Sequence, residues 1–230
     1  MKRSEINKAL KEMEECINKH KFALPPFCHF TPGEWQTKGH DYDEIRDNMM
    51  GWDITDFGRG DFDNFGFSLL TLRNGNFTMT EKYTKTYAEK LLYLNERQHA
   101  PMHFHWSKME DIINRGGGNI LIGVYNSTPD EQLDMTGDVR VSLDGREAVV
   151  PAGTKVRLTP GESISIYPYM YHDFDVEKGT GPVLIGEVSK CNDDNVDNRF
   201  LEGVGRFPSI DEDEPPYRLL CNEYPPAPEA

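Results

Sequence analysis

Between residues 50 and 190 the chain consists of short runs of β-branched, aromatic and leucine residues, cut by Gly, Asn and Asp. FSLLTLRNGN (67–76), EKLLYLNER (89–97), NILIGVYNS (119–127), DVRVSLDGR (138–146), TKVRLTP (154–160) and SISIYPY (163–169) each have the length of one strand. Asn74-Gly75 and Asp144-Gly145 are dipeptides that tight hairpins prefer, because both central residues of such a turn need positive φ. Many short strands at this spacing indicate an all-β sandwich or barrel. The regular strand–helix alternation of a parallel α/β sheet is absent.

Both ends read differently. Ile6, Leu10, Met13 and Ile17 fall at helical spacing and form one apolar stripe, with Ser4 as the expected N-cap. This predicts a helix over the first 20 residues, lying on the outside of the main body. Leu24-Pro25-Pro26-Phe27 breaks the chain; Thr31 and Pro32 then start a short helix expected to end near Lys38-Gly39. After residue 190 regular patterning fades into CNDDNVDNRF, DEDEPPYRLL and the proline-rich EYPPAPEA. The expectation is one domain over residues 1–230: a helical decoration (1–48), a β-barrel (50–190) and an irregular C-terminal wrap (191–230).

At 230 residues an all-β chain can form one such unit. The net charge of −14 repels nucleic acid and anionic membrane. No apolar run approaches the roughly 20 residues of a membrane helix, and the basic start lacks the apolar stretch of a secretory signal. Cys16, Cys28, Cys191 and Cys221 form no CxxC pair and suggest no disulfide framework, so a reduced cytoplasm is expected.

The segment from His99 to Glu110 carries the chemistry. Residues two apart in a strand share a face, so His103 and His105 present two imidazoles side by side. Glu110 follows after room for a turn, and Gly116-Gly117-Gly118 allows a sharp reversal. His172, behind the strand SISIY, can meet the first pair at a barrel mouth. Three imidazoles and a carboxylate suit Mn, Fe, Co, Ni or Zn, whereas calcium and magnesium prefer all-oxygen shells.

At these residues the sequence resembles the cupin superfamily. His103, His105, Glu110 and Gly117 match its first motif, though Arg97 stands where the motif opens on glycine. Gly161, Pro168 and His172 match the second motif loosely, with Val176 in place of its final Asn. The whole chain is similar to the cupin-type D-lyxose ketol-isomerases, through MKRSEIN, LPPF, GWDITDFG, SLLTLRNG, YAEKLL, MHFHWSKMEDIINRGGG, CNDDNVDNRF and GRFP. That resemblance implies a homodimeric cupin β-barrel with one divalent ion, Mn2+ first and Co2+ or Fe2+ next. It implies interconversion of D-lyxose with D-xylulose, and of D-mannose with D-fructose.

Such a reaction moves a proton between C2 and C1 through an enediol, with an electrophile on the sugar oxygens and a base near carbon. The ion held by His103, His105, Glu110 and His172 is the expected electrophile. Glu187, a carboxylate in the otherwise apolar strand VLIGEVSK, is the first candidate base. Lys90 is a candidate for neutralising oxygen or binding a hydroxyl. Asp194 and Arg199 are candidates for sugar hydroxyls or for pinning the tail over the barrel, and Trp106 for lining the pocket. The ligand set alone also accommodates an Fe(II) dioxygenase, and a sugar-binding cupin without turnover is a further alternative.

Overall fold

The computed structural model describes residues 1–229 except 194, 195, 204, 206 and 207. Helix α1 (Arg3–Lys19) forms where the stripe predicts, with Ile6, Leu10, Met13 and Ile17 fully buried. Its N-cap is Lys2 rather than Ser4: the Glu5 carboxylate accepts the Lys2 backbone N–H at 2.7 Å. Ser4 instead donates its backbone N–H (2.9 Å) and its hydroxyl (2.7 Å) to Asp213. Helix α2 (Pro32–Trp35) starts on Thr31 with a reciprocal capping box to Glu34, but ends earlier than its spacing predicts. A further short helix, α3 (Asp43–Asp47), precedes the sheets.

The strands are β1 (Gly51–Thr55), β2 (Phe67–Arg73), β3 (Tyr87–Leu94), β4 (His99–Phe104), β5 (Glu110–Gly117), β6 (Ile120–Ser127), β7 (Leu133–Asp134), β8 (Val139–Leu143), β9 (Arg146–Val150), β10 (Thr154–Leu158), β11 (Ser163–Ile166), β12 (Met170–Val176), β13 (Val183–Lys190) and β14 (Arg199–Phe200). One sheet runs β1-β2-β3-β13-β5-β11-β8-β9; the other runs β10-β6-β12-β4-β14, with β7 beside β6. Leu69, Ile112, Ile164 and Ile185 of the first sheet meet Ile122, Val124 and Phe174 of the second in one apolar core. The two curled sheets form an all-β barrel.

The first sheet is apolar on both faces. Leu70, Leu72, Leu91 and Leu184 alternate with the core residues and pack outward against α1. This explains why FSLLTL and YAEKLLYL read as continuous apolar runs. The alternation also fixes what points inward: Lys90 shares a face with Leu92, Glu110 with Ile112, and Glu187 with Ile185. Three charged side chains are thereby directed into the barrel.

Asp144-Gly145 joins β8 to β9 as a two-residue turn with φ of +50° and +79°, as its sequence predicts. Asn74-Gly75 does not make a tight two-residue turn between the paired β2 and β3. It opens a long loop over residues 74–86, in which the buried Asn74 amide bonds the carbonyls of Asn48 (3.0 Å) and Asn192 (2.9 Å). Gly75 serves close approach: a Cβ there would lie 1.9 Å from the Lys85 carbonyl oxygen. All four cysteines are free, and burial pushes the Cys28 thiol up to about 12. Among the described residues no helix is long and apolar enough to cross a membrane.

Candidate metal centre and active site

β4 and β12 pair so that His103 lies opposite His172, and β4 runs on into His105. One ligand nitrogen from each of His103, His105 and His172 falls within 4.8 Å of the other two. Glu110, the first residue of β5, brings Oε1 to 3.1 Å from His172 Nε2 and 3.4 Å from His105 Nε2. The Nδ1 atoms are each engaged by a backbone carbonyl: His103 by Pro101 (2.8 Å), His105 by Asp197 (2.8 Å) and His172 by Met170 (3.1 Å). A carbonyl can only accept, so each Nδ1 donates a proton to it, and in a neutral ring Nε2 is then the lone pair.

His105 Nε2 and His172 Nε2 are buried without a hydrogen-bond partner, and both face a carboxylate oxygen. Acceptors converging in a dry site call for a cation between them. Three imidazole nitrogens and one carboxylate oxygen fit a divalent transition metal. Burial first, then the neighbouring His172 and His105 rings, hold the His103 imidazole well below its ordinary pKa. Burial works to raise Glu110, but the Lys108 ammonium and the His105 ring outweigh it and hold that carboxyl well below its usual range. Both groups are therefore in the state a metal ligand needs.

A pH dependence of stability follows for the metal-free protein. The unfolded chain protonates His103 below about pH 6.5, whereas the buried ring refuses the proton. The unfolded state binds more protons there, so stability is present above that pH and falls as the pH drops. Melting temperature of EDTA-treated protein should hold from pH 8 to about pH 7 and decline from there to pH 5; a flat profile contradicts a buried neutral His103.

Beside the three histidines lies a buried ion-pair cluster. Lys90 and Glu187 are direct cross-strand partners, with Nζ and Oε1 3.5 Å apart. Lys108 Nζ is 2.6 Å from Glu110 Oε2, 3.2 Å from Glu187 Oε1 and 3.2 Å from Asn192 Oδ1. The Ser189 hydroxyl donates to Glu187 Oε1 at 3.1 Å. Lys90, His103, His105, Lys108, Glu110 and Glu187 all line one cavity, whose apolar wall includes Phe57, Phe67, Phe174 and Phe200.

Lys108 is the residue that sequence reasoning missed. It stands two positions before Glu110, the spacing at which extended chain shares a face, and this was the available signal. Trp106 and Arg199 do not line the cavity. The Trp106 indole N–H donates to Glu131 Oε1 at 2.8 Å, and Arg199 Nε pairs with Glu131 Oε2 at 3.3 Å. Arg199 thus holds β14 down instead of reaching into the pocket. Asp194 lies outside the described residues.

The model of the D-lyxose isomerase family matches residues 1–224. The D-lyxose/D-mannose isomerases of Escherichia coli O157:H7 and Serratia proteamaculans are each 47% identical over 225 residues, covering 97% of this chain and 98% of theirs. Among solved structures, the L-ribose isomerase of Cellulomonas parahominis aligns with a TM-score of 0.58 and 15% identity, covering 92% of this chain and 98% of its own. That of Geodermatophilus obscurus also gives 0.58, at 13% identity over 91% and 98%. At such identities these two likenesses concern the fold. A match over nearly the whole chain, and close relatives of matching length, place this protein in the D-lyxose isomerase family, as a sugar isomerase.

Proposed function

We propose that the protein interconverts D-lyxose with D-xylulose, and D-mannose with D-fructose, by proton transfer between C2 and C1 of the open-chain sugar. The observation that carries this reading is one cavity lined both by His103 and His105 of the three-histidine group and by the buried Glu187 carboxylate. His103, His105, Glu110 and His172 would hold one divalent ion, with Mn2+ expected before Co2+ or Fe2+. When bound, that ion supplies a Lewis acid for the sugar oxygens.

Glu187 is the proposed base, taking the proton from one carbon and returning it to the other. Lys90, Lys108 and Ser189 all approach the same oxygen of Glu187, which fixes the carboxylate in one orientation. Lys90 also offers a donor to a sugar hydroxyl at the cavity wall. The phenylalanines exclude water, which strengthens every charge interaction inside. Asp194 stays a candidate for a sugar hydroxyl. A cytoplasmic location, which suits four free cysteines, and the homodimer that the family resemblance implies complete the reading.

Ketose formation in D2O from D-lyxose and D-mannose, with EDTA-stripped protein before and after Mn2+ is added, tests it. Stripped protein should be inactive, Mn2+ should restore turnover, and the ketose should carry deuterium at C1. Restored turnover without deuterium would replace proton transfer by a hydride shift. Inactivity on both sugars with the ion bound would refute the substrates.

A further inference from the structure

The segment following β13 contains one residue whose contacts converge on the metal-site loop from outside the histidine–glutamate motif. Asp197 is buried, although it lies in irregular chain far along the sequence from the residues it touches. Its carboxylate accepts the backbone N–H of Ser107 (2.9 Å) and of Lys108 (2.9 Å), and the Ser107 hydroxyl (3.0 Å). Its backbone carbonyl accepts His105 Nδ1 at 2.8 Å. One residue thus sets the tautomer and direction of His105 and caps the turn that carries Lys108 between two carboxylates.

We infer that Asp197 is a positioning residue for the metal centre: it locks the turn from His105 to Lys108 so that His105 Nε2 and the Lys108 ammonium are preorganised. The inference rests on the proposed ligand role of His105. A buried carboxylate is costly to desolvate, and three donors from one turn are what offsets that cost here. A turn without the carboxylate would leave the buried Lys108 N–H unsatisfied and the part-buried Ser107 N–H without its partner, and would swing to find water. The segment that supplies Asp197 also supplies Phe200 to the cavity wall and Asn192 to Lys108, so its seating and the site's geometry are one event.

The test compares Asp197→Ala, Asp197→Asn and Asp134→Ala in the full chain. Asp134 caps a turn in the same way, accepting the N–H groups of Thr136 (3.0 Å) and Gly137 (2.9 Å), and has no part in the site. Mn2+ affinity of stripped protein, read from the EPR signal of the free ion, is the first readout. Asp197→Ala leaves the backbone carbonyl on His105 Nδ1 in place and removes the carboxylate that caps the Ser107–Lys108 turn, so Mn2+ should bind about 10-fold more weakly, the low end of the loss for a change just outside the ligands. Its kcat on the re-saturated enzyme should fall, with KM for D-lyxose little changed. Asp197→Asn keeps one acceptor oxygen and should fall between Ala and the parent. Asp134→Ala should keep metal affinity and kcat while losing a comparable amount of melting temperature.

Wild-type Mn2+ affinity and kcat in Asp197→Ala would overturn the inference. Should the Ala variant fail to fold, the Asn variant decides: parental affinity and kcat in it overturn the inference, and weakened affinity at a near-parental melting temperature supports it. Equal loss of affinity in Asp134→Ala would also overturn it, since the effect would then be global. His105→Ala separates this inference from the reading beneath it. If His105→Ala itself binds Mn2+ normally, the ligand assignment fails; if it loses Mn2+ while Asp197→Ala does not, only the positioning role fails.

Discussion

His103→Ala and Glu110→Ala are each expected to abolish Mn2+ binding at micromolar ion and to remove isomerase activity with it. Each substitution deletes one of four donors that converge in a dry pocket, and the remaining groups cannot swing in to replace it. His103 is fixed by the Pro101 carbonyl and by its place opposite His172 in the strand pairing. Glu110 is divided between two tasks: one oxygen faces the imidazoles and the other takes Lys108 at 2.6 Å. Removing it takes away the only carboxylate in the proposed ligand set and leaves Lys108 pushing positive charge toward the incoming ion. Metal content after gel filtration and ketose formation at saturating Mn2+ check the pair of losses. Full activity in either variant with no ion retained would break the link between metal and turnover.

Glu187→Gln is expected to keep the ion and to lower kcat by about 10² or more, the usual loss for a missing general base. The two effects should separate because Lys108 is held more closely by Glu110, at 2.6 Å, than by Glu187, at 3.2 Å. A glutamine at 187 therefore leaves Lys108 anchored and the ligand carboxylate in place. Breaking a buried ion pair from one side costs about 3–5 kcal/mol of stability, so a melting curve should accompany the kinetics. Turnover at the parental rate, with the ion bound and the protein folded, would remove Glu187 from the role of base.

Where the chain could be read in advance, the relevant physics was local. His103 lies in β4 and His105 one residue past its end, at the spacing that puts them on one face, and His172 follows β11, a run that is a strand in any reading. Helix α1 announced itself by its stripe, and the second hairpin by two residues that both tolerate positive φ. Misreadings arose where tertiary contacts choose among equally good local options. Ser4 is a better cap than Lys2 by chemistry, yet Asp213, more than two hundred residues away, claims it. Asn74-Gly75 looks like a hairpin but is held by Asn48 and Asn192, which no short window contains. Lys108 is visible as a charge in the motif, but its two carboxylate partners come from β5 and β13. Trp106 turns to Glu131, a residue with no pattern to mark it, and Arg199 pairs with the same carboxylate, which agrees with the tail-pinning one of its two expected roles.

The lysine–carboxylate cluster also bears on which sugars the cavity rejects. Lys90 and Lys108 bring two positive charges to the wall, and Glu187 and Glu110 bring two negative ones. Before any ion binds, that group is electrically neutral and each ammonium is already committed to a carboxylate. A sugar phosphate would have to pull a lysine out of a buried ion pair to satisfy its own dianion. It would also approach a surface of net charge −14. On the proposed reading of Glu187 as base, a neutral aldose meets neither barrier, and the same salt bridges would disfavour phosphorylated sugars.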